Sequence, residues 1–272
     1  MTKLNVRFPT DAYLRRIGVG RDIVESLTIE PGDLGAIDAL ARSQHRSIPF
    51  ENLDIHRGHV VDVAPTAIVD KVITRHRGGI CYELNGVLLL ALDEIGVPAR
   101  AVGAQVRTDA GFGLPLGHMA VAIGTGHRVH LVDVGFGGDM VTAEIDLDDP
   151  RTWDVRSAGG GYVLDGAVRP LHEFAAMARW HSTDPASRFT GSVICTRDDG
   201  ERRYTLTARP GERGYRLVTT GSDGTRVTEP VMMNESVALL RNVFGIHLDH
   251  PVAARDTGAH ENRHDVGNGR PR

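Results

Sequence analysis

The chain has 272 residues, 41% of them hydrophobic and 24% charged, with a formal net charge of −4; it is long enough to bury a substantial core, and the near balance of charge argues against a nucleic-acid binder. No stretch approaches the roughly 20 apolar residues needed to cross a bilayer, and the start, MTKLNVRFPTDAYL, lacks the apolar core of a secretion signal. Two cysteines, Cys81 and Cys195, are too few for a disulfide framework and point to a reducing, cytoplasmic setting with free thiols.

The first ninety or so residues carry apolar side chains at helical intervals: Tyr13, Leu14 and Ile17; Leu34, Ile37, Leu40 and Ala41; Ile68, Val69, Val72 and Ile73. This part is expected to be a helical bundle. A fourth helix begins near Cys81 and runs through Leu84, Val87, Leu88, Ala91 and Ile95, with Gly96 and Pro98 as its stop.

Beyond it the period changes. Residues 99 to 107, 118 to 123 and 128 to 134 alternate or run apolar between glycine-containing turns and are predicted strands. AGGGY at 158 to 162 lacks the Lys-Ser/Thr of a nucleotide-binding loop and is expected to be a flexible turn. Helical spacing returns at 171 to 180. Short strands separated by DDG, PGERG and GSDG then suggest an antiparallel meander, and a helix over about 234 to 244 closes the folded part. From Asp249 to Arg272 large apolar residues are scarce, and disorder is expected.

RGGICYELNG, residues 77 to 86, places Cys81 after a glycine pair and at the start of a helix. Thiols are only a few per cent ionised at neutral pH, and the thiolate is the nucleophile. Gly78 and Gly79 can bend the chain and bring the sulfur to the first helical turn, where unpaired N–H groups favour an anion. The competing reading is a small buried hydrophobe. Cys195, within a strand-like GSVICTR, takes that structural reading.

Thirteen histidines could partner Cys81. In GHMAVAIGTGHRVHLVDVGFG, a hairpin turning between Thr125 and Gly126 sets His118 directly opposite Asp133 on one face, with Cβ atoms about 4.5 to 5.5 Å apart. Asp133 lies in an apolar run, where an unpaired carboxylate would cost several kcal/mol to bury. An aspartate holding one imidazole nitrogen leaves the other to take a proton from sulfur. A slip of one residue would part the pair. His127 with His130, and His247 with His250, bring no cysteine or carboxylate at zinc spacing, and HExxH is absent, so no metal is expected.

Together these segments resemble the arylamine N-acetyltransferase family. SIPFENLDIH (47–56) is similar to its PFEN segment, and RGGICYELNG to its RGGxCxExN signature, with Arg77, Gly78, Gly79, Cys81, Glu83 and Asn85. GHMAV, LVDVGFG and STDPASRF (182–189) resemble its histidine segment, its aspartate segment and the stretch after the barrel. The resemblance implies an α+β fold with a papain-like Cys-His-Asp arrangement. Its parts are a helical bundle (1–92) carrying Cys81, a β-barrel domain (93–188) carrying His118 and Asp133, an α/β lid (189–248), and the tail (249–272).

It also implies a catalytic triad of Cys81, His118 and Asp133, and an acceptor pocket lined by Phe136. No cofactor is held; acetyl-CoA is the acetyl donor, and a small aromatic amine or hydrazine the acceptor. Ile80 stands where many relatives carry an aromatic residue, which bears on the pocket's shape. Glu83 and Asn85 are expected to be architectural, and Arg77 to pair with a buried carboxylate such as Glu51. Rival readings are an amide synthase closing a polyketide chain on the same scaffold, a cysteine hydrolase, and a non-catalytic aromatic-ligand binder.

Overall fold

The structure, a computed structural model, describes residues 8–157 and 160–256. Three helices come first: α1 (Thr10–Ile17), α2 (Asp22–Ile29) and α3 (Leu34–Ser47). The Asp33 carboxylate caps α3 by accepting from Ala36 N at 3.0 Å. Strand β1 (Phe50–Glu51), α4 (Leu53–His56) and α5 (Pro65–Val69) follow, and α5 continues into a wider π turn over Asp70–Thr74.

Helix α6 (Cys81–Ile95) is buried nearly all round, as a helix clamped between a bundle and a sheet must be. Its end is the glycine stop expected from sequence. Gly96 adopts φ 93°, its N–H reaching Leu92 O and Asp93 O.

Two antiparallel sheets make up the rest. The larger comprises β2 (Ala99–Thr108), β3 (Gly111–Phe112), β4 (His118–Ile123), β5 (Arg128–Phe136), β6 (Asp139–Asp146), β7 (Asp154–Ser157) and β8 (Gly160–Arg169). Its order is β6-β5-β4-β2-β8-β7, with β3 paired to β2. β6 and β7 approach one another, so the sheet curls into a nearly closed barrel. One side of the barrel packs on α6; the other encloses Val102, Ala120, Leu131 and Tyr162.

After α7 (Ala175–Thr183) and α8 (Arg188–Gly191), strands β9 (Val193–Asp198), β10 (Arg202–Ala208), β11 (Gly214–Gly221) and β12 (Arg226–Met232) form the expected meander. Helix α9 (Ser236–Phe244) covers it through Leu240 and Phe244. β1 joins the free side of β9, pairing Phe50 with Thr196 and Glu51 with Cys195. A two-residue strand leaves no periodic trace, so this junction was not visible in the sequence.

Three expectations need correction. The β4–β5 hairpin pairs Val121 with Val132, Ala122 with Leu131 and Ile123 with His130. Continued one rung, this sets Asp133 opposite Ala120, and His118 is diagonal to it. The paired rungs are joined by residues 124–129, a wider connection in which Gly124 takes φ 126° and its N–H donates to Pro98 O. An even offset keeps every side chain on its face, so His118 and Asp133 still share one.

The tail is packed over 249–256 instead of disordered: Val252 is buried, its carbonyl accepts from the Tyr215 hydroxyl, and Arg255 N donates to His56 Nδ1 at 3.0 Å. Val252 and Ala254 pack on the core beneath α9, and two bonds from tail backbone to distant side chains hold the segment there. Residues 257–272 lie outside the described residues. Within AGGGY, Gly160 to Tyr162 belong to β8, with Tyr162 wholly buried, while 158 and 159 lie outside the described residues.

Candidate active site

Cys81 is the first residue of α6, and a buried ionic cluster fixes the loop that leads into it. Arg77 donates to Glu51 (Nε to Oε1, 3.0 Å) and to Asp54 (2.9 Å), while Lys71 Nζ lies 2.7 Å from Glu83 and 3.3 Å from Asp54. Burial opposes the charge on each carboxylate and cation. For Asp54 the Lys71 and Arg77 cations outweigh it and bring the pKa down to about 2. For Lys71, the charges of Glu83, Glu51 and Asp54 hold the ammonium above its ordinary value. The Arg77–Glu51 pair was anticipated; Lys71 and Asp54 carry no sequence signal, since a lysine on a short helix normally faces water.

Glu83 also accepts from Ile80 N–H at 2.9 Å, supplying the cap that an isoleucine cannot. The glycine pair acts by close approach. Neither Gly78 nor Gly79 has positive φ, but a Cβ at 78 would stand 2.0 Å from Pro49 O, and one at 79 would stand 2.6 Å from Glu83. The room goes to a parallel bridge between Phe50 and Gly79.

His118 opens β4. Its Nε2 lies 2.6 Å from Asp133 Oδ2 on β5, which leaves Nδ1 as the nitrogen open to Cys81. Burial would lower the imidazole pKa, but the charges of Asp133 and Cys81 and the hydrogen bond to Asp133 raise it to about 10. Asp133 is fully buried; desolvation works against its charge, yet His118 and two further donors bring its pKa below the ordinary value.

Those donors are Asn85 Nδ2 (2.8 Å) and Gly135 N (2.9 Å), both on Oδ1. Asn85 also donates to Met119 O at 2.7 Å and accepts from Val134 N at 3.0 Å. One turn along α6 from Cys81, it ties the cysteine helix to both strands and aims the carboxylate. Its place in RGGICYELNG marked it as architectural; the contact with Asp133 was not foreseen. Gly135 lets the strand come close, since a Cβ there would fall 2.8 Å from Cys81 Cα.

Phe136 is half-buried with its ring edge-on to His118, centroids 5.2 Å apart, and edge-on to Tyr162 at 5.1 Å. Tyr162, whose ring centroid is 4.8 Å from that of His118, carries no sequence signal because it sits in the stretch expected to be a turn. The segment before His118 is held on both sides. The Tyr82 hydroxyl donates to Leu116 O at 2.7 Å, and His181 Nε2 lies 3.2 Å from Gly117 O. Leu116 pays for that strap with φ 58°, an uncommon value for leucine.

Cys81 and His118 are each 3% exposed, so an ion pair between them would be shielded from bulk water. Cys195 is buried in the β9 core, and burial pushes its thiol well above the ordinary value. No group of three or more His, Cys, Asp or Glu side chains that could hold a metal ion occurs among the described residues. No described helix is long and apolar enough to cross a membrane.

The chain matches the N-acetyltransferase family over residues 33–152 and 152–253. It is 33% identical to the arylamine N-acetyltransferase of Mycolicibacterium smegmatis, over 91% of this chain and 94% of that one. With human arylamine N-acetyltransferase 1 it shares 34% identity over 90% and 96% of the two chains. The structure of the Mycobacterium tuberculosis arylamine N-acetyltransferase superposes with a TM-score of 0.70 at 27% identity, covering 87% of this chain and 92% of that one. The chain belongs to the arylamine N-acetyltransferase family.

Proposed function

We propose that this protein transfers an acetyl group from acetyl-CoA to the nitrogen of an arylamine or arylhydrazine, through an acetyl-cysteine at Cys81. The observation that carries the reading is the buried imidazole of His118, held on Nε2 by Asp133 and near enough to Cys81 for that thiol to raise its pKa.

His118 draws the proton from Cys81. The thiolate attacks the acetyl carbon, and the carbonyl oxygen takes negative charge. Cys81 and Tyr82 precede the first intrahelical donors of α6, Glu83 N and Leu84 N to Ile80 O, so their N–H groups have no intrahelical acceptor and can serve the oxyanion. The C–S bond to CoA breaks, and the imidazolium protonates the departing thiolate. The acceptor nitrogen, unprotonated at neutral pH for an aryl amine, then attacks the thioester and gives its proton to His118 as the Cys81 sulfur leaves.

Asp133 orients the ring and stabilises its charged form, with Asn85 and Gly135 as positioning residues. Phe136, against the imidazole and partly open, suits a flat acceptor by edge or face contact. Acetyl-CoA is consumed as a substrate, and no metal or resident cofactor is needed for these steps. Two buried, unbridged cysteines suit a cytoplasmic protein.

Incubation with acetyl-CoA, without acceptor, should add one acetyl group to the protein by intact mass. An arylamine should remove it as the N-acetyl product, and Cys81→Ala should take up none. Failure of wild-type protein to form the adduct, or an adduct of equal yield in Cys81→Ala, would overturn the reading.

A further inference from the structure

Beside the barrel, an open cleft of about 490 Å³ runs between the C-terminal half of α3, the start of β6, the end of β7 and the β9–β10 turn. Its charged lining is four guanidiniums, Arg42, Arg46, Arg156 and Arg203, against two carboxylates, Asp139 and Asp198. The neighbouring His45 is half-buried, and its pKa is lowered chiefly by desolvation, so it adds no cation at neutral pH. A cationic excess here stands out in a chain whose net charge is −4.

The carboxylates are already engaged. Asp139 pairs with Arg203, and Asp198 Oδ1 accepts from Gly200 N at 2.7 Å. Arg156 pairs with Asp154 at 2.9 Å, and Arg42 and Arg46 make no ion pair among the described residues. Arg203 Nε is a buried donor with no acceptor among the described residues. The Arg203 side chain as a whole is 33% exposed, so its guanidinium remains open to an anion in the cleft.

Two arginines are seated against glycine. A Cβ at Gly200, which has φ 97°, would fall 2.8 Å from the Arg46 guanidinium, and one at Gly138 would fall 3.0 Å from Arg203 Cδ. Gly138 lies two residues past Phe136, at most about 7 Å of chain from the ring that touches His118. The cleft is thus within reach of a ligand whose other end occupies the cysteine site.

We propose that this cleft binds phosphate groups, the ligand chemistry that forked guanidiniums match best. Two sources share that chemistry: the phosphorylated nucleotide end of the acetyl donor, an assignment that rests on the function proposed above, and a free phosphoanhydride such as pyrophosphate.

The test uses the full chain and Arg42→Ala/Arg46→Ala, with unchanged far-ultraviolet circular dichroism as the folding control. Inorganic pyrophosphate, titrated calorimetrically at low salt, should bind wild type saturably at one site. The double variant should bind about tenfold more weakly for each guanidinium removed, and Arg42→Lys/Arg46→Lys should recover part of the loss. No saturable binding to wild type, or equal binding to the alanine variant, would overturn the proposal.

The ratio of kcat/KM for acetyl-CoA to that for p-nitrophenyl acetate, a donor without phosphate, separates the sources. A fall of about tenfold or more in the alanine variant assigns the cleft to the donor nucleotide, and an unchanged ratio assigns it to a free anion. Since pyrophosphate binding is read without turnover, loss of this site and failure of Cys81 to accept acetyl are distinguishable.

Discussion

Gly135→Ala probes how near β5 must come to the cysteine helix. The added Cβ would stand 2.8 Å from both Cys81 Cα and Asn85 Nδ2, where ordinary contact begins at 3.4 Å, a shortfall of about 0.6 Å. Neither neighbour can yield by a rotamer change. One is helix backbone, and the other is pinned by its bonds to Asp133, Met119 and Val134. Strand and helix must therefore part, moving Asp133 and the Cys81 backbone away from each other.

Overpacking of this kind costs about 1–3 kcal/mol, or roughly 2–4 °C of melting temperature per kcal/mol in a chain of this size. Displacement of catalytic groups by about 1 Å can cost about 100-fold in rate. We expect acetyl-cysteine formation, followed by rapid quench and intact mass, to slow by roughly 10- to 100-fold while far-ultraviolet circular dichroism is unchanged. If Gly135→Ala acetylates and melts like wild type, the close-approach argument is wrong.

Asn85→Ala strands Val134 N–H, Met119 C=O and one lone pair of Asp133, and at about 1–3 kcal/mol for a buried group left unsatisfied it should lower stability by about 3 kcal/mol in urea and slow acetylation; a loss under about 1 kcal/mol would contradict the assigned bonds. Arg77→Ala leaves Glu51 buried without its cation, which should cost about 3–5 kcal/mol, and wild-type stability in that variant would argue against the ionic cluster. The His118 imidazole, raised to about 10 partly by the charge of Cys81, should titrate at lower pH in Cys81→Ala by NMR; an unmoved titration would remove Cys81 from the pair. His181 is lowered to about 4, chiefly by burial. The unfolded chain then gains a proton near pH 6.5 that the folded chain refuses until about 4, so about 3 kcal/mol of stability should be lost as pH falls through that window, and His181→Gln should show less acid sensitivity.

What the sequence disclosed followed from how locally each feature is encoded. The cysteine helix was bracketed by its own residues, the glycine pair before Cys81 and Gly96 with Pro98 after Ile95, and its limits follow from them. The hairpin face was legible because alternation fixes parity, whereas the opposed residue was not, because loop width shifts the register by whole rungs. Contacts between distant segments were least legible. Arg77 with Glu51 was suggested by their two motifs, but Lys71, Asp54 and the Asn85 bond to Asp133 depend on how helix and strand dock. Tyr162 was hidden by the glycines before it, and the order at 249–256 by its low apolar content.

The pairing of β1 sets the order of events during synthesis. Phe50 and Glu51 are bound on one side by Gly79, at the cysteine loop, and on the other by Thr196 and Cys195, about 145 positions later in the chain. A nascent polypeptide that has emerged through Asp133 holds Cys81, His118 and Asp133, yet its cysteine loop is backed by an open edge. The thiol should become competent only after the ribosome has released β9, which would spare unfinished chains from premature acylation.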